Sequence, residues 1–188
     1  MIRVPLLALC LAGPAVAQSR HEMHGGAHHP YAGQDSRAIA ALSEEHIAGL
    51  QAGAGLGYAK AAELNGWPGP LHVLELADEL DLSPEVQAQV EALRQEMLDA
   101  VPPLGLALIA AEEELDHLFD RPDLSAAEVE AATTKAAAIE AKLRAAHLVA
   151  HLKTAPLLTP HQRMLYASAR GYETHAGHHA DPMAHGKN

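Results

Sequence analysis

Cysteine and aromatic residues are nearly missing from this chain. It has one Cys, one Trp and one Phe, and aromatics total 3%. A single Cys excludes a disulfide framework, a Cys-based zinc finger and a Cys-ligated iron–sulfur cluster. Hydrophobic residues still reach 48%, so Ala and Leu must supply the core. That composition predicts an all-α fold packed through small side chains. It argues against a β-sandwich or barrel, which draws on Val, Ile, Tyr and Phe. Cations are also scarce: 13 Lys and Arg stand against 24 Asp and Glu, a net charge of −11. Phosphate binding needs clustered cations, so no nucleic acid is expected as a partner. At 188 residues the chain suits one hydrophobic core and excludes two large domains. There is no G-x-S-x-G, H-E-x-x-H, C-x-x-C or phosphate loop, and no C-x-x-C-H for a c-type haem. The reading is therefore no enzyme and no organic cofactor, with a b-type haem held by His and Met as a minor alternative. What the chain has in quantity is histidine, 14 of them.

The first residues predict export. Arg3 gives a short positive start, Leu6 to Ala12 is apolar, Gly13-Pro14 breaks it, and Ala15-Val16-Ala17 is an A-x-A cleavage signal. Residues 1–17 read as a cleaved signal peptide, too short to span a membrane. A lipoprotein signal acylated at Cys10 is the rival, disfavoured by the bulky Leu9 before it. Cleavage removes Arg3 alone among the charged residues, so −11 becomes −12. No later run reaches 18 apolar residues, so the mature chain is not expected to span a membrane. A secreted, Cys-free helical protein points to a periplasm.

Two tails flank the remainder. Residues 18–36 carry His21, His24, His28, His29 and Met23; residues 174–188 carry His175, His178, His179, His185 and Met183. Neither tail has apolar periodicity, so both are expected to be disordered. Residues 37–173 form the expected helical domain. A rough stripe of Ile39, Leu42, Ile47 and Leu50 predicts a helix over 36–51, with a short helix over 56–64. Pro70 suits a first helical position, and a helix follows to about Asp81. Ser83-Pro84-Glu85 reads as an N-cap, first residue and acidic first turn. The next helix should kink or break at Pro102-Pro103, then resume over 104–119. Ser125 with Glu128 is a capping box opening a helix over 126–154. Thr159 with Gln162 is a second, opening a last helix to about Arg170.

These helix starts carry a resemblance. Leu158-Thr159-Pro160-His161-Gln162 resembles the L-T-x-x-Q motif of the Spy/CpxP family, which includes zinc-resistance-associated proteins and periplasmic heavy-metal sensors. The family motif occurs twice. Here the earlier copy would be Leu82-Ser83-Pro84-Glu85-Val86-Gln87, with Val86 where Gln belongs and Gln87 one place late. The resemblance covers roughly residues 70–171, leaving 31–69 unmatched. It implies a long antiparallel helical hairpin, a homodimer, and a role in envelope stress. Family members hold unfolded client proteins, bind metal ions or inhibit a sensor protein.

The candidate chemistry is metal ligation. His147 and His151, spaced i, i+4, lie on one helix face and could share an ion. The bland alternative is two amphipathic side chains on a helix flank. If a hairpin turn centres near residue 122, position 147 faces about 97 and 151 about 93, bringing Glu96 and Met97 near the pair. One Glu-x-x-His, Glu114 to His117, lacks the second copy a di-iron bundle needs, and Glu112, Glu113 and Glu114 read as a solvated face. The tails are the better candidates, since imidazole suits zinc, copper and nickel, and Met sulfur adds affinity for Cu(I). A mature start at Ser19 rather than Gln18 would make His21 the third residue, able to complete a square-planar Cu(II) or Ni(II) site; the A-x-A rule favours Gln18. The expectation is a periplasmic transition-metal-binding sensor or resistance protein, with zinc or copper as the ion. The alternative is an ATP-independent chaperone.

Overall fold

The computed structural model describes residues 30–172. The expected signal peptide, residues 18–29 of the first His-bearing tail and the whole of the second lie outside them, including His21, His24, His28, His29, His175, His178, His179 and His185. The described helices all belong to the compact unit Gly33–Asn188. They are α1 (Glu44–Ala52), α2 (Lys60–Glu63), α3 (Pro70–Glu75), α4 (Pro84–Leu118), α5 (Ala126–Thr154) and α6 (Pro160–Ala169), with a 3-10 turn at Ala155–Leu157. No strand occurs among the described residues, only an isolated bridge between Ile39 and Leu42. The class is all-α. No described helix is long and apolar enough to cross a membrane.

Capping chemistry sets most boundaries. Ser125 accepts from the Glu128 amide while the Glu128 carboxylate accepts from the Ser125 amide. Ser125 and Arg121, both donating to this carboxylate, hold its pKa down to about 2. Thr159 and Gln162 make the same reciprocal pair at the start of α6. Gln162 does more: its amide nitrogen donates to the Leu80 carbonyl at 3.0 Å, tying α6 to the turn before α4. Ser83 caps α4 by accepting from the Val86 amide.

Three boundaries differ from expectation. The helix expected over 36–51 begins only at Glu44, because Ser43 accepts from the His46 amide and acts as N-cap. Ile39 and Leu42 are core residues all the same, tucked in from the preceding loop. The helix after Pro70 stops at Glu75, and residues 77–81 turn so that Leu80 is buried, with Asp81 at φ 47°. Most tellingly, α4 runs through Pro102-Pro103 unbroken for 35 residues. The prolines remove the donors to the Leu98 and Asp99 carbonyls. Val101, Gly105 and Leu108, all buried around that point, hold the helix in place by packing. The packing is close: a Cβ on Gly105 would lie 2.2 Å from the Leu50 carbonyl oxygen, so α1 crosses α4 backbone to backbone.

α4 and α5 lie alongside one another and antiparallel, with Glu114 paired to Lys135 near their connection and Glu96 paired to Lys153 far from it. Two apolar clusters flank them. One joins Leu50, Tyr58, Val101, Leu108, Ala136 and Leu143; the other joins Val73, Leu80, Val90, Leu158 and Tyr166.

Candidate functional site

The polar centre of the body lies where α2, α5 and α6 meet, one turn of α5 carrying both histidines of the expected pair. His147 and His151 are buried, not flanking. The Nδ1 of His151 is 2.7 Å from the Trp67 carbonyl oxygen. A carbonyl only accepts, so that nitrogen carries the proton and donates. The same Nδ1 stands 3.5 Å from Glu63 Oε2. The other side of the ring packs on Gly69, where a Cβ would meet Nε2 at 2.4 Å. His151 is thus a bolt between α5 and the Trp67–Gly69 turn.

Glu63 is the hub. Its Oε1 accepts from the Tyr166 hydroxyl and from the Tyr172 hydroxyl at 3.1 Å, and lies 3.6 Å from Arg170 Nε. Arg170 also donates to Tyr172 at 3.4 Å. Burial, then the bond to Glu63, pushes the Tyr166 hydroxyl well above its usual range, so it remains a donor. The carboxylate is ringed by α6 and the residues that follow it. A one-turn helix, α2, is held by this network instead of by its own propensity.

His147 differs. Its ring stacks on Tyr58, centroids 5.8 Å apart at 19°. It is 3% exposed, and its Nε2 has no hydrogen-bond partner. Burial first, and then His151, push its pKa below 6.5, so the imidazole is neutral at pH 7. Both histidines, Glu63 and Met97 line a cleft of about 590 Å³.

The structure therefore brings His147, His151 and Met97 together but not Glu96, whose carboxylate is on the surface with Lys153. The centre of the connection near residue 122 did not fix the rung. Among the described residues no set of three His, Asp or Glu side chains is placed to hold a metal ion. His117 pairs with Asp120 at 3.2 Å, not with Glu114, which is taken by Lys135. The acidic run is not uniformly solvated either: Glu112 is half-buried, and burial, then Glu140 and Asp116, raise its pKa. Sequence reasoning missed Glu63, Tyr166, Arg170 and Tyr172, four polar residues spread over 110 positions. Only Glu63 carried a local signal, as a lone acid in an apolar run before a Gly-Trp-Pro-Gly-Pro turn.

No protein-family model, curated protein or solved structure matches the chain.

Proposed function

We propose that this is a periplasmic transition-metal-binding protein of metal or envelope stress, not an enzyme, built as a Spy/CpxP-like helical hairpin and acting as a homodimer. Zinc or copper ions are taken up by the segments flanking the helical domain. The observation that carries the reading is where histidine falls in the sequence. Eight of the 14 histidines fall in the two flanks, with Met23 and Met183. Within the body, by contrast, His72 is paired with Glu75, His117 with Asp120 and His151 with Trp67, and His147 is buried at the cleft wall. His46 and His161 lie in the first turns of α1 and α6, and no described set of three His, Asp or Glu could hold a metal ion. The acidic balance of the chain favours cations over acidic clients. Multivalency among flanking imidazoles supplies affinity without a built cage.

A second reading, an ATP-independent chaperone, is favoured by exposed apolar side chains on the long helices, among them Leu106, Val149 and Leu152. Calorimetric titration with Zn(II) and Cu(II), beside suppression of aggregation of a denatured client, separates the two. Saturable metal binding without client protection supports the first, and the reverse supports the second.

A further inference from the structure

The cleft beside His147 has features that metal uptake by the flanks does not use. Its volume, about 590 Å³, is that of a small-molecule site. One wall is the Gly-rich stretch after α1, where a Cβ on Gly55 or Gly57 would meet nothing within 4 Å. Leu56 in that wall adopts φ 41°, an unfavourable conformation for a branched side chain, and folds back on Gly49. Leu71, Met97 and Leu98 give the cleft an apolar lining.

The charges in it run against those of the protein. Lys60 and Arg94 both line the cleft, and neither makes an ion pair with any described residue. Several cations elsewhere are paired with acids, as Arg121 is with Glu128, Lys135 with Glu114 and Lys153 with Glu96, whereas these two face the cleft unpaired. The one acid in the lining, Glu63, is already met by Tyr166, Tyr172, Arg170 and His151. The buried Nε2 of His147 has no partner, and a neutral imidazole can donate one N–H from it. Two uncommitted cations and one uncommitted buried nitrogen share an apolar cleft. We propose that this cleft binds a small amphipathic organic anion, a carboxylate with an apolar body. The carboxylate is held by Lys60 and Arg94 with His147 as an added donor, and the apolar part lies on Leu71, Met97 and Leu98. Arg94 suits the role because its planar fork matches a carboxylate.

Octanoate serves as the probe, with octanol as its neutral counterpart. Titration calorimetry of the whole protein is run with a chelator present so that metal is not a variable. The expected result is one saturable octanoate site with a Kd on the order of 10–100 micromolar. Octanol should bind at least about tenfold more weakly, as should octanoate to Arg94→Gln or Lys60→Gln. Both substituted residues reach solvent, so these variants keep the fold. Amide chemical shifts should move at residues 53–60, 94–98 and 147 and not on α6. No saturable binding below about 1 mM overturns the proposal. So does octanol binding as tightly as octanoate, or an affinity unchanged in both variants.

Discussion

The Nδ1–H of His151 is aimed at the carbonyl oxygen of Trp67, 2.7 Å away, and that bond joins α5 to the turn leading into α3. Removing the imidazole takes a donor from the part-buried Trp67 carbonyl and takes away the nitrogen that stands 3.5 Å from Glu63 Oε2. His151→Ala should cost about 2–4 kcal/mol, combining a lost hydrogen bond with a cavity. Urea denaturation measures it. A loss below about 0.5 kcal/mol, the range of an ordinary surface substitution, would contradict this role of His151.

Thr159 and Gln162 act on structure rather than on metal. Thr159→Ala should cost about 1 kcal/mol, the worth of an N-cap. Gln162→Ala removes both the reciprocal cap and the bond to the Leu80 carbonyl, so it should cost more than Thr159→Ala. Neither should change metal stoichiometry. Loss of metal binding at unchanged stability would contradict this.

Gly105→Ala tests the α1–α4 crossing. Alanine gains about 1 kcal/mol in helix propensity over glycine. Here the new methyl meets the Leu50 backbone at 2.2 Å, and backbone cannot rotate away. The net should be destabilising by about 1–3 kcal/mol, with faster amide exchange in α1. A more stable variant would refute the close crossing.

His147 gives the stability a pH dependence of known sign. Its folded pKa is lowered below 6.5, first by burial and then by His151. Below about pH 6.5 the unfolded chain therefore binds the proton more readily than the folded one. The contribution of His147 is fully present above that pH. It is lost as pH falls toward the folded value, and levels off below it. His147→Phe keeps a ring on Tyr58 and removes the titration. Denaturation at about pH 7.5, 6 and 5 should show a shallower acid decline in the variant. Equal slopes would show that His147 does not titrate in this way.

Local chemistry made much of the fold legible. Ser125 with Glu128 and Thr159 with Gln162 marked both later helix starts, because a cap is a short-range device needing only four residues. Pro102-Pro103 misled for the opposite reason. Their local cost is real, but Val101, Gly105 and Leu108 outweigh it through contacts far away in sequence. Ile39 and Leu42 were correctly apolar, yet Ser43 started the helix after them. For the site, the i, i+4 spacing did put His147 and His151 on one face. It could not reveal that the face points inward, nor that Glu63, Tyr166, Arg170 and Tyr172 close around it, since no periodicity links residues so distant. The rung of Glu96 was lost because it depends on side-chain reach across the helix pair.

The central claim, that the flanking histidines hold the metal, is tested most directly by replacing all eight with alanine and titrating Zn(II) and Cu(II) calorimetrically. The replaced positions are His21, His24, His28, His29, His175, His178, His179 and His185. The parent protein should bind with micromolar or tighter affinity, weakening steeply from about pH 7 to about 5.5 as protons compete for imidazoles with a reference pKa of about 6.5. The eightfold variant should lose most of the bound metal while keeping its helix content and stability. One tight ion that survives the substitutions and disappears in His147→Ala would place the function in the helical body instead. A parent protein binding no better than about 100 micromolar, near −5.5 kcal/mol, would contradict metal binding altogether.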